Sequence, residues 1–185
     1  MVVPAVENLN GWGQASDWAD SAQAGYPKIA VIGCGNPTRS DDGAGPAVVR
    51  ALASRSTGHD VRLLDAGTDG LAVMFAARGC DTLLIVDACC SGAPAGAVFE
   101  VSGADLEQHY LPSLTIHDFR WSHALHAGRV LFRDAFPSDV VVLLIEAQSL
   151  EFGLDLSEVV AASVAAVTRR IEQLLCARRH KPITS

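Results

Sequence analysis

The stretch that decides the fold is VIGCGNPTRSDDGAGP, residues 31–46. The apolar run that begins at Ile29 predicts a strand that stops at the glycines of GCGN. Glycine and asparagine tolerate a positive φ, and Ser40 or Asp41 suits a helix N-terminus, so the unit is predicted to be strand, tight turn and helix. Carboxylates at that point, facing the carboxyl end of a strand, indicate a site-forming edge of an open α/β sheet.

The same stretch is a poor match to a dinucleotide-binding fingerprint. That motif needs a third glycine three residues after the second, and Thr38 occupies this position with Pro37 before it. Two acidic side chains follow where a pyrophosphate would need bare N–H groups. A nucleotide site stays an alternative, but cation chemistry fits the two carboxylates better.

The amino-acid composition limits the classes of protein to which this chain can belong. The chain has 185 residues, of which 49% are hydrophobic, which is enough for one domain with a sizeable core. No segment has the uncharged length of about 18 residues that a membrane helix needs, and residues 1–27 lack a secretory pattern. The net charge of −7 argues against nucleic acid as the main partner. Five cysteines without a CxxC pair fit reduced thiols, so we expect a cytoplasmic protein that binds neither membrane nor nucleic acid.

Strand-like and helix-like segments alternate from residue 28 onward. Strands are predicted at 28–33, 61–64, 82–86, 139–145 and, antiparallel at an edge, 97–101. Helices are predicted at 41–55, 71–78, 117–130 and from Asp155, where Asp155-x-x-Glu158 resembles a capping box. We therefore predict a three-layer α/β sandwich, in which a twisted, mostly parallel, five-stranded sheet is flanked by helices. This single domain would cover residues 27–180, after an N-terminal extension (1–26) that is disordered or packed on the surface.

Acidic residues fall at four predicted strand ends, where parallel strands bring their loops to one edge. Each acid alone is more often a turn-former or a cap, but their convergence favours a site. Among the histidines, His117 follows a loop, whereas His123 and His126 share a helical face and are interpreted as packing residues. Two carboxylates and one imidazole suit a divalent transition metal such as nickel or zinc. The four acids are Asp42, Asp65, Asp87 and Glu146.

A thiol nucleophile is a weaker alternative. Cys34 lies in the first turn, and Cys89 and Cys90 lie just past Asp87. Such a nucleophile needs a histidine base nearby, and small buried cysteines at strand ends are common. The sequence has no Gly-x-Ser-x-Gly motif, which disfavours a serine hydrolase.

Four sequence features, taken in chain order, resemble those of the maturation endopeptidases of nickel-iron hydrogenases. They are GCGN followed by SDDGAG (33–45), DAGTDG (65–70), LLIVDA (83–88) and His117 in IHDFRWSHAL, and the likeness covers residues 29–175. The resemblance implies a phosphorylase/hydrolase-like twisted sheet flanked by helices. It also implies a protease, of aspartic type, that removes a C-terminal peptide from the hydrogenase large-subunit precursor after nickel insertion.

The resemblance also implies roles for particular residues. Asp42, Asp87 and His117 would be the catalytic and metal-contacting trio, and Asp65 would help to recognise the nickel-loaded substrate. The first position is often Glu in the family, and Ala66 stands where a glycine is usual. Nickel would be presented by the substrate, with no organic cofactor. The partner would be the nickel-loaded precursor, and the protease a monomer.

Two mechanisms stay open at this point. The trio could bind a metal whose water attacks the peptide, or it could read the nickel held in the substrate, which the resemblance favours. Either way Asp42 and Asp87 would be ionised and His117 neutral, the states that ligate a cation. Two other functions also stay open: a non-catalytic nickel-binding chaperone or checkpoint for hydrogenase assembly, and a nucleotide-binding α/β domain.

Overall fold

The computed structural model describes residues 28–55, 57–58, 60–108 and 120–179. Within them the chain forms one five-stranded sheet with the strand order β2-β1-β3-β5-β4. All neighbouring strands are parallel except β4, which pairs antiparallel with β5 at one edge. The strands are β1 (Ile29–Cys34), β2 (Val61–Gly67), β3 (Thr82–Cys89), β4 (Val98–Ser102) and β5 (Asp139–Glu146).

Helices connect these strands and cover both faces of the sheet. Two of them, α1 and α5, pack against each other on one face, and α2 and α4 do so on the other. None of the helices that the structure describes is long and apolar enough to cross a bilayer. The helices are α1 (Ala44–Ala53), α2 (Gly70–Ala77), α3 (Gly103–Gln108), α4 (Trp121–Phe132) and α5 (Glu158–Arg179), with 3-10 turns at Ser40–Gly43 and Arg133–Ala135.

The core lies in two layers because alternate residues of each strand point to opposite faces. Leu84 of β3 packs with the α1 and α5 side chains, whereas its neighbour Ile85 packs with α2 and α4. Residues 83–86 are all fully buried, which explains why this central strand is apolar throughout. The predicted three-layer sandwich, with a mostly parallel sheet and an antiparallel edge strand, is confirmed.

Three predicted helix starts differ from the structure. Helix α1 begins at Ala44 and not at Asp41, because residues 40–43 form a 3-10 turn. Helix α4 begins at Trp121, since Arg120 has an extended backbone. Helix α5 begins at Glu158, so the predicted capping box at Asp155 is wrong. The side chain of Ser157 caps this helix instead, accepting a hydrogen bond from a backbone N–H of its first turn.

Two of the sequence predictions fall outside the described residues. They are the N-terminal extension, residues 1–26, and the candidate ligand His117.

Candidate active site

A cleft of about 380 Å³ opens at the carboxyl end of the parallel strands. The loops after β1, β2 and β3 form most of it, and the start of α4 and the loop after β5 complete it. Two of the predicted site residues, Asp42 and Asp87, line this cleft together. The lining consists of Cys34, Gly35, Asp42, residues 67–70, Val73, residues 87–90, Arg120, Trp121 and Leu150.

The turn after β1 holds Asp42 at the cleft wall. Gly35 has a φ of +121°, and a β carbon there would overlap the backbone carbonyl of Asp42, so this position requires glycine. The next residue, Asn36, donates its backbone N–H to Asp42 Oδ2 at 2.9 Å. This turn therefore fixes both the backbone and the carboxylate of Asp42.

Asp87 lies near the end of β3 and is held by two donors. The indole Nε1–H of Trp121 donates to Asp87 Oδ2 at 2.6 Å, and the N–H of Ala88 donates to Oδ1 at 2.9 Å. Burial raises the pKa of Asp87 to about 6, and the nearby charge of Asp42 adds to the increase, while the two hydrogen bonds and Arg120 oppose it. At this pKa the Asp87 carboxyl group can exchange a proton close to neutral pH.

Asp65 occupies a different position. It pairs with Gly33 in the sheet, and its carboxylate lies 3.8 Å from Arg50 Nη1 of α1, on the exposed surface. Its Oδ1 accepts the N–H of Gly67 at 3.1 Å. The described residues that line the cleft include this glycine but not Asp65. Asp65 therefore lies next to the cleft lining, close enough for its charge to act on Cys34, and its implied role in substrate recognition stays a prediction.

Glu146, the fourth acid at a strand end, anchors a loop. Its side chain is only 3% exposed. It accepts hydrogen bonds from the N–H and the hydroxyl of Ser91 and from the N–H of Gly92, at 2.7–3.0 Å. The Ser91 bonds are the main reason that the pKa of Glu146 is lowered to about 2. This carboxylate, which is charged at neutral pH, fixes the segment that follows Asp87 and Cys89.

Two thiols of the cleft, those of Cys34 and Cys89, are poor nucleophiles. Burial, followed by the charges of Asp87 and Asp65, raises the pKa of Cys34 well above its usual value. Burial and a hydrogen bond to Glu146 raise the pKa of Cys89 to about 12. Because the thiolate is the reactive form, these two positions argue against cysteine catalysis.

The cleft suits a cation better than an anion. Asp42 and Asp87 share it, and their mutual repulsion contributes to the raised pKa of Asp87, a cost that a bound cation would remove. In the part of the chain that the structure describes, no three His, Cys, Asp or Glu side chains converge on a common point. His117, the expected third member, belongs to the segment that is not described. His123 accepts the N–H of Arg120 at 3.2 Å, which agrees with its interpretation as a packing residue.

Sequence reasoning missed Trp121 and Arg120. Trp121 was interpreted only as an apolar residue of a helix, yet its indole N–H holds the Asp87 carboxylate. A buried indole N–H normally needs an acceptor, so the sequence could have predicted that Trp121 donates a hydrogen bond to some polar group. The acceptor lies 34 residues away, so the pair could not be identified from the sequence alone.

Comparison with known proteins identifies the family of this chain. A family model described as hydrogenase maturation protease (HycI) matches residues 46–174, well over half of the chain. The chain belongs to the hydrogenase maturation protease family. It is therefore an enzyme that hydrolyses peptide bonds, which favours a protease over a non-catalytic checkpoint or a nucleotide-binding domain.

Individual relatives are similar to this chain over most of their length. The hydrogenase 2 maturation protease of Escherichia coli K12 is 28% identical over 159 residues, which is 84% of this chain and 93% of that protein. The hydrogenase expression/formation protein HoxM of Azotobacter vinelandii is 27% identical, over 82% of this chain and 74% of its own.

Solved structures of hydrogenase maturation proteases share the fold. The hydrogenase maturating endopeptidase HybD from E. coli superposes with a TM-score of 0.68 at 23% identity, over 81% of this chain and 93% of that one. The hydrogenase 2 maturation peptidase from a Thaumarchaeota archaeon has a TM-score of 0.62 at 26% identity, over 80% of this chain and 98% of its own.

Proposed function

We propose that this hydrogenase maturation protease removes the C-terminal extension of a nickel-iron hydrogenase large-subunit precursor once nickel has been inserted. Asp42 and Asp87, with His117, contact the nickel that the substrate carries, so that cleavage depends on cofactor insertion. The observation that supports this proposal best is that Asp42, in the turn after β1, and Asp87, near the end of β3, line one cleft. A cytoplasmic location and a monomeric state belong to the same proposal.

Each carboxylate is preorganised for this task. Asp42 receives one backbone N–H, from Asn36, and Asp87 receives two donors, from Trp121 and Ala88. These bonds orient the carboxylates without neutralising them, so both can bind a cation. A site that is oriented before the substrate arrives loses little free energy to rearrangement on binding.

The pKa of Asp87 also suits this residue to accept a proton from the attacking water. Its pKa of about 6 lies near the operating pH, where a general base combines the ionised state with useful basicity. Asp65, whose carboxylate lies beside Arg50, contacts the nickel-loaded precursor at the same end of the sheet.

The test compares variants on one substrate. Purified protease is incubated with nickel-loaded large-subunit precursor, and release of the C-terminal peptide is followed as a gel shift. Asp42→Ala, Asp87→Ala and His117→Ala are expected to abolish the shift while their melting curves remain cooperative. Asp134→Ala, an exposed acid far from the cleft, is the matched control and should process normally.

Two results would contradict the proposal. One is a gel shift that survives all three substitutions, since the trio would then be dispensable. The other is tight binding of the precursor by the unmodified protease without release of any peptide, which would indicate an assembly checkpoint. Equal cleavage of nickel-free and nickel-loaded precursor would refute the gating step alone.

A further inference from the structure

Two large apolar side chains lie exposed beside the cleft. Phe152 is 85% exposed and Leu154 is 80% exposed, and both belong to the loop between β5 and α5. Leu150, two residues before Phe152, lines the cleft itself. An exposed apolar pair of this kind, at the rim of an active site, is typical of a surface that contacts another molecule.

Hydrogen bonds hold this loop in place. Gly153 exchanges two backbone bonds with the turn after β1: its carbonyl accepts the N–H of Ser40 at 2.9 Å, and its N–H donates to Thr38 at 3.0 Å. The buried carboxylate of Asp41 binds the N–H groups of Gln148, Ser149 and Ser157 at the two ends of the loop. The apolar pair is therefore presented on a rigid support, which reduces the entropy lost when a partner binds.

The surroundings of the pair carry mainly negative charge. Glu151, Asp155 and Glu158 are exposed on the same segment. A cation, Arg39, lies over the Phe152 ring at 5.3 Å from its centroid and donates its Nε–H to the carbonyl of Leu150. This combination of an apolar centre and an acidic rim fits a partner surface with an apolar side chain flanked by lysine or arginine.

The size of the cleft indicates which partner this is. At about 380 Å³ the cleft has the volume of a small-molecule site, so it holds only a few residues of a peptide. The rest of a protein substrate must then lie against the surface outside the cleft. We propose that Phe152 and Leu154 form the docking surface for the folded body of the substrate protein, which binds through an apolar, basic segment next to the cleaved peptide. This inference rests on the proposed function.

The experiment measures KM and kcat for processing of the nickel-loaded precursor. The double variant Phe152→Ser/Leu154→Ser should keep kcat and raise KM about 10- to 100-fold, the effect of losing two central contacts of an interface. It should also melt like the wild type, because both side chains are exposed. The matched control is Val130→Ser/Leu131→Ser on α4, which removes two apolar side chains that are 62% and 64% exposed, and should leave KM unchanged.

A second variant tests the acidic rim. Glu151→Gln/Asp155→Asn should raise KM at low salt and make KM less dependent on salt, since fewer charges attract the partner. An unchanged salt dependence would refute the basic character of the partner.

Other outcomes separate the two proposals. A wild-type KM in the Phe152→Ser/Leu154→Ser variant, or a loss of kcat at constant KM, would overturn the docking surface and leave the proposed function standing. Failure of the wild type to process the precursor would overturn the proposed function instead. The effect of deleting residues 1–26 is a further test. If the deletion lowers KM in the wild type but not in the double variant, Phe152 and Leu154 contact that segment, and the inference is overturned.

Discussion

Asp41 and Asp42 are adjacent in the sequence but serve different parts of the molecule. The side chain of Asp41 is fully buried, and its carboxylate accepts four hydrogen bonds from the loop between β5 and α5, at 2.7–3.0 Å. These hydrogen bonds lower the pKa of Asp41 even though burial acts in the opposite direction. Asp42 lies at the cleft wall and accepts one backbone N–H. One carboxylate therefore stabilises the fold and the other is available for chemistry.

This relationship predicts opposite effects for the same substitution. Asp41→Asn should lower the free energy of unfolding by about 2–4 kcal/mol, because an amide nitrogen would face buried donors and leave them unpaired. Asp42→Asn can keep its bond to Asn36 and should change stability by less than about 1 kcal/mol, yet it should abolish processing. Urea unfolding and the gel-shift assay measure the two effects. A stable, inactive Asp41→Asn variant would contradict the division of roles.

Trp121 should control the pH at which Asp87 acts. Its indole N–H stabilises the ionised carboxylate and so lowers the pKa of Asp87 from the value that burial alone would produce. Trp121→Phe keeps an aromatic ring and removes the donor, so the pKa of Asp87 should increase. The acidic limb of the pH–rate profile, expected near pH 6 in the wild type, should move to higher pH, with the rate at pH 8 largely retained.

A different outcome would identify Trp121 as a packing residue. A rate that falls equally at every pH indicates a disturbed cleft and no change in the titration of Asp87. Trp121→His, which restores a ring N–H donor, should return the acidic limb toward the wild-type position.

Glu146 should make stability depend on pH in the acidic range. Its folded-state pKa of about 2 lies below its ordinary value of 4.5, so the unfolded chain binds more protons between these pH values. The stabilisation is therefore complete above about pH 4.5 and is lost as the pH falls toward 2. Glu146→Gln should unfold at lower urea concentration than the wild type at pH 7, and the difference should shrink below pH 4.5.

An exposed glutamate provides the control for this measurement. Glu151→Gln removes the same charge from the surface, without the bonds that Ser91 and Gly92 make to Glu146, and should show no such trend. If the difference between the wild type and Glu146→Gln stayed constant from pH 7 to pH 3, the carboxylate would not be the source of the stabilisation.

Gly35 should tolerate no side chain. Gly35→Ala forces a β carbon against the backbone of Asp42 at a φ of +121°, so we expect a loss of about 4 kcal/mol or more in stability, together with loss of processing. Gly79→Ala is the matched control. Gly79 has a φ of +77° and nothing within 4 Å of an added β carbon, so this change should cost only about 1–2 kcal/mol. Equal effects of the two variants in urea unfolding would show that crowding at Asp42 is not decisive.

Local patterns predicted the elements whose signal lies within a few residues. The apolar runs of β1 and β3 identified the centre of the sheet, because strands buried on both faces must be apolar throughout. The glycine turn and the two aspartates after β1 identified the edge where the cleft lies. The helix starts were less accurate, since their caps depend on distant groups: Ser157 caps α5 while its N–H and hydroxyl bind Asp41, 116 residues away.

The sequence by itself determined the class of fold, the order of its elements, the edge that carries the cleft and two of the carboxylates in it. It did so because hydrophobic periodicity and turn chemistry are local properties. Only the tertiary structure separated the roles of Asp41 and Asp42, placed the Asp65 carboxylate beside Arg50 and brought the Trp121 indole to Asp87. The direction of a side chain and the partner that it meets depend on packing between segments far apart in the chain, and no local pattern encodes that packing.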